Sequence, residues 1–306
     1  MTDLSRRTLG RTGLEVTTLG FGAMELRGAA AGGPEIADEQ AERILNAVLD
    51  AGINYIDTSI DYGRSEELIG RFIAHRRSEY YLASKCGCVP GSRGEHVHTA
   101  ENIRAGVEQS LQRMNTEYLD LVQFHRSLSR RELEDGALDA LVALQREGKL
   151  RWVGMSGSLP QLEEQIAMGV FDAFQIPYSA LEREHEEIIS RATAAGAGII
   201  IRGGASRGQP TDWERRSYYM QPGTVAQDRW QAANLDELLG DMSRMEFTVR
   251  FTLSNPDLDT TIIGTRDPAH LLDNVQAALK GPLPTDFMAE AKRRLAAAGS
   301  RPVSAR

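Results

Sequence analysis

The chain has 306 residues and a formal net charge of −8, and its acidic and basic residues are interspersed. This length allows two domains, although many α/β barrels use as many residues in one. The charge pattern lacks the basic face of a nucleic-acid-binding surface, so we expect no nucleic-acid partner. An anionic small ligand is still compatible with this charge, because one local arginine is enough to bind it. No apolar run reaches the roughly 18 residues of a membrane span, so we expect no membrane contact. No apolar segment follows the polar residues 1–7, so we expect no signal peptide. Together these features predict a cytoplasmic protein.

The two cysteines of the chain, Cys86 and Cys88, are separated by one residue. This spacing is too short for a useful structural disulfide, which favours a reducing compartment. Two cysteines also supply too few ligands for a structural zinc site. We therefore expect two ordinary thiols beside the end of a strand, and no metal.

The N-terminal residues predict a small β-hairpin, in which 7–10 and 14–17 flank a turn at 11–13. After the hairpin, strand-like and helix-like patterns alternate along the chain. Short apolar runs predict eight strands, at residues 18–21, 54–57, 80–84, 119–124, 151–155, 173–176, 198–201 and 260–263.

Apolar residues at helical spacing predict a helix after each strand. These helices cover residues 41–51, 66–74, 100–114, 137–147, 161–168, 184–195, 235–253 and 269–279, and a further helix covers 286–298. A long irregular segment, 203–230, separates the seventh strand from its helix. Loops of this length are often functional, and its aromatic residues Trp213, Tyr218, Tyr219 and Trp230 favour an ordered flap or, alternatively, an oligomer contact.

Alternating strands and helices indicate parallel strand pairing with helical crossovers. Eight such units favour a closed (β/α)8 TIM barrel over an open doubly wound sheet. No glycine-rich dinucleotide-binding fingerprint opens any of the units. We therefore predict an α/β protein with one domain, residues 1–306, made of a (β/α)8 barrel with an N-terminal β-hairpin and an extra C-terminal helix.

Proton-handling side chains stand at the carboxyl ends of the predicted strands, where barrel enzymes carry their catalytic groups. Asp57, Lys85 and His125 end three strands, and Tyr62 follows Asp57 in the next loop. Taken singly, each is typical of packing or of a solvated surface. A tyrosine is a poor acid at neutral pH, but an ammonium group nearby lowers its pKa. Together the four predict a proton relay for a substrate that gains or loses a proton at oxygen.

Several motifs at their present spacing resemble the aldo-keto reductase superfamily over nearly the whole chain. The resemblance is carried by the segments NYIDTSIDYG (54–63) with Ser65-Glu66, ASK (83–85), ENIR (101–104) up to Leu111, YLDLVQFHR (118–126) and GKLRWVGMS (148–156). It implies that Asp57, Tyr62, Lys85 and His125 form the family's catalytic tetrad. In that family the tyrosine gives a proton to a carbonyl oxygen, lysine and aspartate tune it, and histidine orients the carbonyl. The nicotinamide of NADPH supplies hydride, and no metal takes part.

The resemblance also implies a set of cofactor-binding residues. Those around the nicotinamide and pyrophosphate are Gly22, Ala23, Asp57, Ser156, Gly157, Gln175, Arg202 and Gly203. Gly157 stands where the family usually has asparagine, and Arg202 stands where it often has an aromatic residue.

At the adenosine end, the resemblance implies contacts from Gly264, Thr265, Arg266, His270 and Asn274. A strand followed by a helix presents free N–H groups to an anion there, and the guanidinium of Arg266 suits the 2′-phosphate of NADPH. The acidic neighbour Asp267 weakens this preference, so NADH is a second, less favoured cofactor.

Met24 and Arg126 occupy positions where the family often has tryptophan, which implies a less aromatic substrate pocket. Arg126 either attracts an anionic substrate or forms a surface salt bridge. The expected activity is NADPH-dependent reduction of an aldehyde or ketone. An NADPH-sensing regulatory protein with slow reductase activity is the alternative, and a Schiff-base lyase that uses Lys85 is a third. The sequence leaves the substrate, the direction of reaction and the oligomeric state open.

Overall fold

The computed structural model describes residues 3–89, 95–206 and 226–303. Two short strands form an antiparallel N-terminal hairpin, β1 (Arg6–Thr8) and β2 (Glu15–Thr17). Eight more strands form a closed barrel, and they are β3 (Leu19–Gly22), β4 (Tyr55–Asp57), β5 (Tyr81–Cys86), β6 (Leu119–Phe124), β7 (Leu150–Ser156), β8 (Ala173–Pro177), β9 (Gly198–Arg202) and β10 (Thr260–Ile263). Each barrel strand pairs in parallel with the next, and β10 closes the barrel against β3. The predicted hairpin and (β/α)8 barrel are confirmed.

Helices surround the barrel. Within the described ranges they are α1 (Asp38–Asp50), α2 (Ser65–Ile73), α3 (Ala100–Arg113), α4 (Arg130–Glu134), α5 (Ala137–Arg146), α6 (Leu162–Met168), α7 (Glu186–Ala194), α8 (Ala226–Ala232), α9 (Asp236–Leu239), α10 (Arg244–Leu253), α11 (Pro268–Leu279) and α12 (Thr285–Ala297). The last, α12, is the predicted extra C-terminal helix. The short helices α4 and α8 were not predicted. None of the helices in these ranges combines the length and the apolar character that a membrane-spanning helix needs.

The prediction of one continuous helix over 235–253 is wrong. Gly240 adopts a positive φ of 56° and ends α9. Ser243 then begins α10 as its N-cap, because its side chain accepts a hydrogen bond from the Glu246 N–H at 3.0 Å. The apolar spacing runs through both helices, which is why periodicity alone joined them.

The predicted irregular segment 203–230 is corrected at its C-terminal end, where α8 is helical. Trp230 lies in α8, is 1% exposed and packs edge-on against Phe247 of α10. It belongs to the core and not to a flap. The other aromatic residues of the predicted flap, Trp213, Tyr218 and Tyr219, lie outside the described residues.

The hairpin closes the amino end of the barrel. Leu9, Leu14 and Val16 are buried in a cluster with side chains from inside the barrel. The carboxylate of Asp259, directly before β10, accepts hydrogen bonds from the backbone N–H of Gly10 at 3.2 Å and of Ile199 at 2.8 Å. With this end sealed, the carboxyl ends of the strands remain as the open face, as is usual for the active sites of such barrels.

Replacement of Gly10 tests this closure. A Cβ on Gly10 would lie 2.1 Å from the backbone nitrogen of Gly198, and φ is +44°. Gly13 also has a positive φ, +70°, but a Cβ there meets nothing within 4 Å. We expect Gly10→Ala to lower the free energy of unfolding by at least about 2 kcal/mol more than Gly13→Ala, because only the former adds a backbone collision to the left-handed strain. Denaturant titration measures both variants, and equal losses would contradict the proposed tight contact.

Candidate active site

A buried ion pair joins β4 and β5 at their carboxyl ends. The ammonium of Lys85 donates to Asp57 Oδ2 at 2.5 Å and to the carbonyl oxygen of Thr58 at 2.8 Å. Both side chains are at most 2% exposed. Taking two charges out of water is costly unless their remaining hydrogen-bonding capacity is also satisfied.

Two glutamine side chains complete the hydrogen bonding of the Asp57 carboxylate. Gln123 and Gln175 donate their amide N–H groups to Asp57 Oδ1 at 2.9 and 2.8 Å. Gln175 also accepts a hydrogen bond from the Ser156 hydroxyl at 3.1 Å. Gln123 was not predicted as a site residue. Its signal was available, because it is a glutamine inside an apolar strand, two residues before His125 and so on the same face.

Tyr62 and His125 lie together next to this pair. The Tyr62 hydroxyl oxygen is 3.4 Å from His125 Nε2, and their rings meet edge to face. The Lys85 nitrogen is 5.0 Å from the centre of the Tyr62 ring. The structure therefore brings Asp57, Tyr62, Lys85 and His125 into one group, as the strand-end positions predicted.

The second ring nitrogen of His125 faces a polar cluster that the sequence did not predict. Nδ1 lies 3.1 Å from Cys88 Sγ and 3.4 Å from Asp61 Oδ1. Burial lowers the pKa of His125 and raises the pKa of the Cys88 thiol. Burial acts against ionisation of Asp61 too, but its hydrogen bonds with His125 and Ser59 lower its pKa overall.

A cavity of about 720 Å³ lies over this group, within the size range of small-molecule and cofactor sites. Predicted site residues line it in two sets. Near the ion pair are Gly22, Met24, Asp57, Tyr62, Gln175 and Arg202. Farther along are Gly203, Gly264, Thr265, His270 and Asn274.

Three predicted residues support the cavity wall or lie beneath it. Ser156 holds the Gln175 amide, as described above. The backbone carbonyl of Ala23 accepts a hydrogen bond from the Ser65 hydroxyl at 2.9 Å. The carbonyl of Gly157 accepts one from Arg202 Nη2 at 3.4 Å.

A side chain at position 157 would collide with two neighbouring side chains. A Cβ there would lie 2.7 Å from Ser127 Oγ and 2.9 Å from Leu162 Cδ2. Leu162 is fully buried and cannot move aside without disturbing the core. This contact disfavours a side chain at the position where the family usually has asparagine.

The two predicted anion-binding arginines do not line the cavity. Arg126 is partly exposed and forms a salt bridge with Glu132 at 2.5 Å. Of the two roles considered for Arg126, substrate attraction and a surface salt bridge, the structure shows the salt bridge. Arg266 is beside the cavity-lining Thr265 and donates from Nη1 to the carbonyl oxygen of Glu35 at 2.7 Å. In the described part of the chain this is the only hydrogen bond that its guanidinium makes.

Charged residues of α10, of α11 and of the C-cap of α11 were missed. Lys280, Glu246 and Asp273 line the cavity, and the Lys280 ammonium donates to Glu246 at 2.6 Å. Such residues on helix surfaces read in sequence as solvated faces, and only the packing of α10 against α11 brings them to the cavity.

Residues 18–295 match the model of the Aldo/keto reductase family. The chain belongs to this family. The uncharacterized oxidoreductase YqkF of Bacillus subtilis is 28% identical to it over 289 residues, covering 90% of this chain and 91% of that protein. The L-galactose dehydrogenase of Arabidopsis thaliana is 26% identical over 305 residues, covering 90% and 89%. The family assignment makes this aldo-keto reductase family member an oxidoreductase.

Among solved structures, the holo form of the aldo-keto reductase AKR11C1 from Bacillus halodurans superimposes with a TM-score of 0.82 at 25% identity, covering 95% of this chain and 96% of that one. The apo form of the same protein gives a TM-score of 0.75 over the same shares. This aldo-keto reductase family member thus has the same barrel fold as its solved relatives.

The Asp57–Lys85 pair gives a stability prediction. Asp57→Asn keeps the size of the side chain but leaves the Lys85 ammonium buried without a counter-charge, so we expect a loss of roughly 3–5 kcal/mol in the free energy of unfolding. The double variant Asp57→Asn/Lys85→Met removes both charges and should recover a large part of this loss. Urea titration of the three proteins measures the coupling. If Asp57→Asn were as stable as the parent, the negative charge of Asp57 would not be needed to stabilise the buried Lys85 ammonium.

Proposed function

We propose that the protein reduces an aldehyde or ketone to the alcohol with NADPH, and that Tyr62 donates the proton to the carbonyl oxygen. The observation that carries the proposal is the position of the Tyr62 hydroxyl. It faces the cavity 3.4 Å from His125 Nε2, while the Lys85 ammonium lies 5.0 Å from its ring.

The cavity fits a nicotinamide dinucleotide in its lining. One continuous space joins Tyr62 and Gln175 to the loop after β10 and the first turn of α11. At that loop Gly264 brings backbone to the surface, and a Cβ on it would lie 2.5 Å from the carbonyl oxygen of Gly22. Helix α11 begins there, but Pro268 has no N–H and the Asp267 carboxylate accepts a hydrogen bond from the Ala269 N–H at 2.9 Å, so the free N–H groups expected from the sequence are largely taken and the loop before the helix would carry the phosphate contact. When bound, NADPH would supply the hydride.

Gln175, Arg202 and Gly203 would hold the nicotinamide half of the cofactor, and Gly264, Thr265, His270 and Asn274 the adenosine half. For the 2′-phosphate we propose Arg266, which directly follows the cavity-lining Thr265 and whose guanidinium would have to leave the Glu35 carbonyl oxygen. The likeness to the holo form of AKR11C1, greater than to its apo form, supports a chain arranged to receive a cofactor.

Proton transfer from Tyr62 depends on the buried pair beneath it. Loss of the phenolic proton leaves a negative oxygen, and the nearby Lys85 ammonium stabilises that charge. Asp57 keeps the lysine protonated and in position, and the two glutamines hold Asp57. His125, with its proton on Nε2, would donate a hydrogen bond to the carbonyl oxygen and align it with Tyr62.

Removal of the Tyr62 hydroxyl tests the proposal directly. We expect Tyr62→Phe to lower turnover about 10²–10⁴-fold, because the general acid is lost, while NADPH still binds. Tyr81→Phe is the matched control, since Tyr81 begins β5 at the opposite end of the barrel, and it should keep full turnover. NADPH oxidation is followed with a panel of aldehydes and ketones, with NADH in parallel. Undiminished reduction by Tyr62→Phe would refute the assignment. Tight NADPH binding with slow turnover on every carbonyl would favour the NADPH-sensing regulatory alternative.

The role of Arg266 is tested by cofactor affinity. Hydrogen bonds to charged groups contribute about 1.5–3 kcal/mol, so Arg266→Ala should weaken NADPH binding roughly 10–100-fold and NADH binding far less. Arg130→Ala is the control, because Arg130 is exposed and pairs with Glu164 away from the cavity. Fluorescence titration with both cofactors gives the affinities. The same loss for NADPH and NADH would show that Arg266 does not contact the 2′-phosphate.

A further inference from the structure

Four side chains that carry metal-binding atoms meet on the Nδ1 side of His125. They are Asp61, Cys88, His96 and His125, and one ligand atom from each lies within 4.8 Å of all the others. The proposed reduction uses His125 through its other nitrogen, Nε2, and gives no role to Asp61, Cys88 or His96. The cluster therefore needs an explanation of its own.

The spacing of these atoms is near that of a tetrahedral metal site. Bonds of about 2.0–2.3 Å to zinc place neighbouring ligand atoms roughly 3.5 Å apart. Cys88 Sγ and Asp61 Oδ1 already lie 3.1 and 3.4 Å from His125 Nδ1. The remaining distances, at most 4.8 Å, need shifts on the order of 1 Å, which side-chain rotation can supply.

Backbone contacts bring the four residues together. Cys88 and His96 face each other in an antiparallel bridge. The bridge is held by hydrogen bonds from Val97 N–H to the Gly87 carbonyl at 2.7 Å and from Val89 N–H to the Glu95 carbonyl at 3.1 Å.

His125 and Asp61 are fixed from two other strands. The His125 N–H donates to the Cys86 carbonyl at 3.2 Å, which aligns it with the end of β5. Asp61 follows β4, one residue before Tyr62. Three different strand ends thus converge on one point.

The chemistry of the set suits zinc. One thiolate, two imidazoles and one carboxylate are the ligands that zinc takes in proteins, and four of them leave no open position. Cys88 is 2% exposed, and the Asp61 and His125 side chains are 13% exposed. Ser59 supports the set, because its hydroxyl donates to Asp61 Oδ1 at 2.5 Å. Such outer hydrogen bonds orient metal ligands.

We propose that Asp61, Cys88, His96 and His125 bind one zinc-class divalent metal ion, with His125 ligating through Nδ1. Metal binding replaces the proton of the Cys88 thiol, which is released to solvent. Ligation at Nδ1 leaves the imidazole proton on Nε2, facing Tyr62. That second consequence matters for the proposed reduction, whereas metal binding itself does not depend on it.

The two cysteines of the CxC sequence have different surroundings, which supplies a matched control. Cys86 ends β5, is fully buried and packs in the main hydrophobic core, outside the cluster. From the sequence, the two cysteines were considered together, as a pair that supplies too few ligands for a metal site. The structure instead assigns one thiol to packing and the other to a four-ligand site.

Cobalt(II) is the probe, because thiolate ligation gives a charge-transfer band in the near ultraviolet and tetrahedral geometry gives strong visible bands. We expect the chelator-treated full chain to bind one equivalent with both signatures, and zinc to displace it. Cys86→Ala should behave like the parent. Cys88→Ala should lose the charge-transfer band and bind zinc more than ~100-fold more weakly, beyond the usual cost of losing an outer-shell partner.

His96→Gln provides a second variant, since His96 is only partly buried. It should keep the charge-transfer band, weaken zinc binding at least about tenfold and lose the tetrahedral visible spectrum. Absence of the band in the parent, or the same band in Cys88→Ala, would overturn the site. No substrate or NADPH is present in these titrations, so failure of the proposed reductase activity would leave their outcome unchanged.

The position of the His125 proton is read separately by ¹H–¹⁵N correlation spectra of the imidazole nitrogens. With zinc bound, we expect the proton on Nε2 and a metal-shifted Nδ1. A proton found on Nδ1 in the zinc-bound protein would overturn the proposed mode of ligation.

Discussion

The salt bridge between Asp57 and Lys85 is the interaction on which the rest of this barrel face depends. It places two charges where water does not reach, and hydrogen bonds from and to neighbouring groups offset the cost of burying them. The carboxylate takes hydrogen bonds from an ammonium and two amides, which arrive from three other strands. A closed barrel suits this arrangement, because strands distant in sequence end side by side around one centre.

The two ends of the barrel divide the work of the fold. At the amino end, hairpin side chains and the Asp259 carboxylate seal the interior with apolar packing and backbone hydrogen bonds. At the carboxyl end, polar residues replace apolar ones and a cavity opens above them. Substitutions at the first end therefore change mainly the free energy of unfolding, whereas those at the second also change chemistry.

Much of the fold and of the candidate site could be predicted from the sequence, because both depend on local patterns of apolar and polar residues. Apolar runs gave the eight strands, and the strand ends gave Asp57, Lys85 and His125. Gln123 has a local signal that was passed over. Lys280 and Glu246 have none, since helix packing alone brings them to the cavity. The break between α9 and α10 was also hidden, because apolar spacing continues across Gly240.

The cluster around Cys88 shows why spacing in sequence fails for sites built from several strands. The sequence predicted Cys86 and Cys88 to be two ordinary thiols, whereas the structure brings Cys88 together with metal-binding side chains from positions before and after it in the chain. Pairing across a short bridge and alignment of strand ends decide the grouping. Neither can be read from the interval between two cysteines.

The close packing around Gly157 also limits which substitutions position 157 tolerates. An asparagine there would have to displace the ends of the Ser127 and Leu162 side chains, which fill the space that its Cβ would need. The Ser127 hydroxyl, the nearer contact at 2.7 Å, would have to rotate away and Leu162 would have to repack, at some cost in core packing. The side chain that position 157 can carry is thus coupled to those at positions 127 and 162, so it depends on core packing as well as on any ligand in the cavity.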